Sequence, residues 1–162
     1  MILRQGLKED LPQILEIMNY YIEHTTIIFD KQRKTLSDMD GWFEKFIHDY
    51  PLIVAMKDNQ LLGYAYLSAY RPKIAYKQTV ELSIYVSPDS HNRGIGKELM
   101  LAMIEEGRRR KYHTILSFIT SENEESIRFH EKFDFKEVGK LKEVGNKNNR
   151  WLDVSIYQLL LA

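Results

Sequence analysis

Residues 81–103, ELSIYVSPDSHNRGIGKELMLAM, place a β-type run, a turn cluster, a glycine-bearing polar loop and an amphipathic helix in immediate succession. Leu82, Ile84 and Val86, with Tyr85 between them, predict a strand, and Ser87-Pro88-Asp89-Ser90 stops it. Leu99, Met100, Met103 and Ile104 then recur at helical spacing. Strand, loop and helix in this order make an anion site, because the first N–H groups of a helix lack intrahelical partners and carry the positive end of its dipole.

The named phosphate motifs do not fit the loop. A P-loop needs Gly at position 91 and Ser or Thr at position 98, where this chain has His91 and Glu98. A dinucleotide fingerprint needs a third glycine at position 99, which is Leu99. With Arg93 and Lys97 beside Gly94 and Gly96, the remaining ligand is a pyrophosphate carried by something other than ATP or NAD, and coenzyme A answers that description.

The rest of the chain supports an α+β sandwich on one mixed sheet. Its 162 residues suit one domain with a substantial core, and 23 basic against 23 acidic residues leave no global field for nucleic acid or an anionic membrane. Arg108-Arg109-Arg110-Lys111 closes the glycine-loop helix and complements its dipole. With no cysteine, disulfide frameworks, thiolate metal sites and a cysteine nucleophile are excluded. Residues 1–6 lack a basic segment leading into an apolar run, and no apolar run reaches spanning length, so the expectation is a cytoplasmic chain without a membrane partner.

Strands are expected at 2–5, 52–57, 61–70, 79–86, 114–120, 135–141 and 154–161. Helices are expected after Asp10, with a stripe of Leu11, Ile14, Met18, Tyr21 and Ile22; after Ser37, with Trp42, Phe43, Phe46 and Ile47; and over 122–133. Residues 145–150 read as a polar loop, and Asp58-Asn59-Gln60 as a hairpin turn. His130-Glu131-Lys132-Phe133-Asp134 falls short of a zinc-protease motif because Asp134 stands where the second histidine belongs, so no metal is assigned.

The loop resembles motif A of the GNAT N-acetyltransferases, although His91 stands where that motif has Gln or Arg. A closer resemblance, to the phosphinothricin N-acetyltransferase branch, runs along nearly the whole chain. It is carried by Asn19, Thr25-Thr26, Phe29, Trp42-Phe43, residues 71–76, Thr79-Val80-Glu81 and Tyr85-Val86-Ser87, then by Asn123, Ser126, His130-Glu131, Gly145, Lys147, Trp151 and Asp153-Val154. The resemblance implies one central, mostly antiparallel mixed sheet with helices on both faces, opened beside the strand at 79–86 to admit the thioester of acetyl-CoA. It also implies a homodimer acting on a small-molecule amine.

For the site, the resemblance implies coenzyme contacts from Ile84, Tyr85 and Val86, from Asn92, Arg93, Gly94, Ile95, Gly96 and Lys97, and from Asn123 and Ser126. Spacing alone makes Asn123 a helix cap, a role compatible with the second. Glu81 by spacing is a solvated strand residue; the resemblance makes it the base that takes a proton from the amine. His130 is implied as a substrate contact or proton relay ahead of a sole acid. Thr26, Phe29, Arg71, Lys73 and Tyr76 are implied around the substrate, although an apolar Phe is more often core and Arg71 and Lys73 alone read as solvated loop.

Overall fold

A computed structural model describes residues 1–91 and 93–162. A seven-stranded sheet runs in the order β1-β2-β3-β4-β5-β7-β6, with β1 (Ile2–Gln5), β2 (Leu52–Lys57), β3 (Gln60–Ala69), β4 (Thr79–Val86), β5 (Thr114–Thr120), β6 (Lys136–Lys147) and β7 (Arg150–Leu160). Of its pairs only β4 and β5 run parallel. α1 (Leu11–His24) and α2 (Leu36–His48) cover one face, where Leu11, Ile14, Ile22, Met39 and Phe46 pack on Leu52, Val54 and Tyr64. α3 (Ile95–Arg109) and α4 (Glu124–Glu131) lie on the other, where Leu99, Met100 and Met103 meet Val80, Leu82 and Ile115. The two cores follow from strand alternation, which sends Val80 and Leu82 to one side and Glu81, Ser83 and Tyr85 to the other. No helix of the described residues is long and apolar enough to cross a membrane.

The α1 and α3 stripes are buried as their spacing requires. Several local expectations are corrected. Thr35, rather than Ser37, caps α2: its hydroxyl accepts from the Asp38 N–H while Asp38 accepts from the Thr35 N–H, and this reciprocal pair starts the helix at Leu36, two residues before a cap at Ser37 would. Asp10 sits at the N-cap of α1, but its carboxylate grips Arg4 (2.7 and 2.9 Å) and the Leu7 N–H instead of the helix. Ile47 is half exposed. The polar stretch 145–150 is mostly strand: β6 continues through Gly145 and Lys147, and only Asn148 and Asn149, both at positive φ, make the turn into β7.

What positions the site is a fork. β4 keeps unbroken register with β3 from Val80 to Val86, and β5 with β7 from Thr114 to Thr120. Between these intact halves, β4 and β5 pair only from Thr79–Thr114 to Glu81–Leu116 and then part.

Candidate functional site

The fork opens a cleft lined by Leu82, Ser83, Ile84 and Tyr85 on the β4 side and by Ser117, Phe118, Ile119 and Thr120 on the β5 side. Asn123, Ser126 and His130 close it from the α4 face, and Ile27 from the α1 face. Because the Ser87 N–H donates to Leu62 (2.8 Å), alternation turns the Tyr85 N–H towards β3 and those of Ile84 and Val86 towards the cleft. Of the three residues expected to contact the coenzyme here, Ile84 and Val86 thus offer an N–H to the cleft and Tyr85 does not. The Val86 carbonyl is taken by the Tyr21 hydroxyl, whose pKa burial pushes up to about 12.

At the end of β4 the chain turns through Pro88–Ser90 and reaches Gly94, whose left-handed backbone (φ 76°) favours glycine. Gly94 starts α3 with no side-chain cap among the described residues, in contrast to α2 and α4, which Thr35 and Asn123 cap. The first-turn amides at Ile95, Gly96 and Lys97 are therefore open to an anion, with Arg93 and Lys97 exposed beside them. Gly96 is less constrained than Gly94: a Cβ there would meet the Phe129 ring at an ordinary 3.5 Å. Asn92 lies outside the described residues.

On α4 the Asn123 side chain accepts from the Ser126 N–H (3.2 Å). His130 is buried, and its Nδ1 lies 2.8 Å from the Ser126 carbonyl. A carbonyl only accepts, so Nδ1 carries the hydrogen and Nε2 is left as an acceptor. Burial lowers the His130 pKa, against the pull of that hydrogen bond, and keeps the ring neutral at pH 7.

Glu81 occupies the apex of the fork, at the last parallel pair, with its side chain on the α1 and α2 face. It does not line the cleft that His130 lines. Burial raises its pKa, and the Lys45 ammonium pulls it back. Lys45, half buried on α2, rests over Phe46 (5.1 Å), Tyr66 (5.6 Å) and Trp42 (6.0 Å). On the same face Tyr70 stacks on Phe118 (6.2 Å), Arg71 lies over Tyr70 (5.2 Å) and Tyr76 meets Tyr70 edge-on (5.4 Å). Lys73 is exposed in the same loop. Thr26 donates to Glu122 (2.6 Å), and Phe29, partly exposed, faces Gly145 of β6.

The model of the acetyltransferase (GNAT) domain matches residues 3–156. The chain belongs to the GNAT acetyltransferase family. It is 36% identical to an L-methionine sulfoximine/L-methionine sulfone acetyltransferase of Pseudomonas paraeruginosa, over 94% of this chain and 90% of that one. It is also 36% identical to a phosphinothricin N-acetyltransferase of Streptomyces coelicolor, over 96% and 93%. Among solved structures, a GNAT phosphinothricin acetyltransferase of Sinorhizobium meliloti in complex with AcCoA superposes with a TM-score of 0.95 at 30% identity, covering 99% of this chain and 88% of that one. The chain is therefore an acetyl-CoA-dependent N-acetyltransferase.

Two features of this GNAT chain suit that coenzyme independently of the likeness. The uncapped α3 offers amides to a pyrophosphate, and the Ser117 hydroxyl, 2% exposed and without a partner among the described residues, lines a cleft of about 70 Å³. Among the described residues no three His, Asp or Glu side chains are grouped to hold a metal. Sequence reasoning missed Lys45, Tyr70, Ser117 and Phe118. Period-two alternation along β5 could have put Phe118 opposite Ile119, but nothing local ties Lys45 to Glu81.

Proposed function

We propose that the chain acetylates the amino group of a small amino acid analogue bearing a second anionic or strongly polar oxygen group, of the phosphinothricin, methionine sulfoximine or methionine sulfone type. The observation that carries this reading is Glu81, a half-buried carboxylate at the apex of the fork, on the face that also holds the Arg71–Tyr70–Phe118 stack. The substrates for which the Pseudomonas and Streptomyces relatives are named support it.

Bound acetyl-CoA supplies an acetyl group activated as a thioester. Its pyrophosphate would be held by the first-turn amides of α3 with Arg93 and Lys97, and its pantetheine arm by the Ile84 and Val86 edge with Asn123 and Ser126. Glu81 takes the proton that keeps the amine from attacking, directly or through water; burial raises its pKa and so strengthens it as a base, with the Lys45 ammonium opposing. An Ile84 or Val86 N–H polarises the acetyl carbonyl, a contribution of about 3 kcal/mol for one such donor. When the C–N bond forms and the C–S bond breaks, the departing coenzyme thiolate would take up the second amine proton, relayed by His130 Nε2, which is left as an acceptor because the Nδ1 hydrogen is committed to Ser126. Arg71, held by stacking on Tyr70, grips the carboxylate or phosphinate through paired N–H groups, and Phe29 with Thr26 bounds the pocket opposite. Lys73 and Tyr76 complete the basic, aromatic wall. The exposed Trp151 and Val144 near the β6–β7 turn support a homodimer, which sedimentation equilibrium tests.

Free-thiol release across an amine panel tests the substrate. Phosphinothricin and methionine sulfone should show a much higher kcat/KM than kanamycin or a lysine peptide. Arg71→Ala should erode that preference by about 1.5–3 kcal/mol, roughly ten- to a hundredfold, as expected for a hydrogen bond to a charged group. Equal or reversed preference in the wild type would refute the assignment.

A further inference from the structure

Residues 25–30 carry Thr26, Ile27 and Phe29, but what holds them comes mainly from the other end of the chain. α1 stops at His24, and the Thr25 hydroxyl turns back to the Tyr21 carbonyl (2.6 Å). Lys147, the last residue of β6, is only 4% exposed, and its ammonium donates to the carbonyls of Ile22 (2.7 Å) and Ile28. A buried ammonium is tolerated only when its hydrogens are used, and the carbonyl end of α1 is where a helix dipole favours a cation. Two residues earlier, Gly145 lies against Phe29: a Cβ there would fall 2.9 Å from the ring Cδ2 and Cζ, and closer still to Cε2. From β5 the Thr120 hydroxyl donates to the Thr26 carbonyl (2.8 Å).

We propose that Lys147 is a positioning residue for the amine pocket: by tying Ile22 to Ile28, and with Gly145 seated against Phe29, the β6–β7 hairpin sets where the Phe29 ring stands and so which amines fit. The proposal rests on the reading of Phe29 as a pocket wall. Lys147 touches neither reactant in this account; it acts through the loop.

The test uses Lys147→Met, which keeps the length of the side chain without its donors, and Gly145→Ala, which pushes on the ring. Each should raise KM for the wild type's best amine by about ten- to a hundredfold, the scale of one misfitted methylene-sized contact in an apolar pocket. Turnover at saturation should change far less, and calorimetric acetyl-CoA affinity should hold. In the free protein, Lys147→Met should speed amide hydrogen exchange at residues 25–30 while β5 keeps its protection. In a Phe29→Ala background the effect of Gly145→Ala should vanish, because the ring it displaces is gone. An unchanged amine KM in folded Lys147→Met, acetyl-CoA affinity falling in step with it, or a Gly145→Ala effect equal with and without the ring would each overturn the proposal. If Lys147→Met does not fold, the Gly145 and Phe29 cycle decides alone. A wild type preferring another amine refutes the substrate reading only, and the cycle run on that amine still decides this one.

Discussion

On the α3 and α4 face the candidate site is made of helix ends and a strand edge, whereas on the α1 and α2 face it is made of side chains from four separated stretches: Phe29, Lys45, Arg71 with Tyr70, and Phe118. The first kind needs only that β4 and α3 form, because N–H groups project wherever secondary structure sends them. The second needs the whole tertiary arrangement, since each side chain reaches the site through a different contact. Substitutions at the start of α3 should therefore change one property, affinity for acetyl-CoA, while those on the acceptor side, and at the His130 relay, should change rate, selectivity and pH response with that affinity intact.

The largest expected effect lies at the apex joining the two sides. Glu81→Gln keeps the shape and loses the acceptor, so turnover at pH 7 should fall by ~10²–10⁴-fold while calorimetric acetyl-CoA affinity stays. Partial recovery at higher pH, where free amine is more abundant, is expected; a wild-type rate at pH 7 removes Glu81 from the base role. Stability supplies a second readout. Burial raises the Glu81 pKa above its ordinary 4.5, so the group's contribution to folding is complete below that value and is lost as pH rises through the folded pKa. Glu81→Gln should then be no less stable than the wild type at pH 8, as thermal melts would show.

Gly96→Asp separates the coenzyme side from the rest and should act next most strongly. The Cβ is sterically acceptable, at 3.5 Å from the Phe129 ring, and a carboxylate in the first turn of α3 suits the helix dipole. Tm should hold or rise, while acetyl-CoA affinity drops by about tenfold or more as that carboxylate takes the amides a pyrophosphate needs. Affinity unchanged in calorimetry would mean that the α3 N-terminus does not hold the coenzyme.

The same contrast explains how far the sequence could be read. β1, β2, β4 and β5 were legible to the residue because β-branched runs end there at polar or turn-forming neighbours. The Asn148-Asn149 turn was not separated from its flanks, since Gly145 and Asn146 are loop-like by composition yet are held in β6 by pairing to Leu152 and Trp151. The fork came only with the resemblance: whether β5 leaves β4 depends on its full-length pairing with β7, some 35 residues further on, which no local pattern encodes. Glu81 and His130 could be named, but not that one faces α2 and the other the α4 side of the cleft.

Lys45→Met should have the smallest effect and is the finest probe of the acceptor side. The ammonium rests on Phe46, Tyr66 and Trp42, and its main electrostatic partner is Glu81, whose carboxylate it favours. Methionine keeps the apolar stem packed on the rings and removes only the charge. Without that charge, burial acts on Glu81 unopposed and its pKa rises further, so the acidic limb of the kcat/KM profile should move to higher pH. The rate on the plateau and the acetyl-CoA affinity should stay, because the base is still present and ionised there. A limb that stays in place would mean that Lys45 does not sense Glu81, and one that moves to lower pH would mean that the limb belongs to another group. A plateau that falls selectively for anionic amines would instead make Lys45 a substrate contact alongside Arg71, extending the basic wall from the β3–β4 loop onto α2.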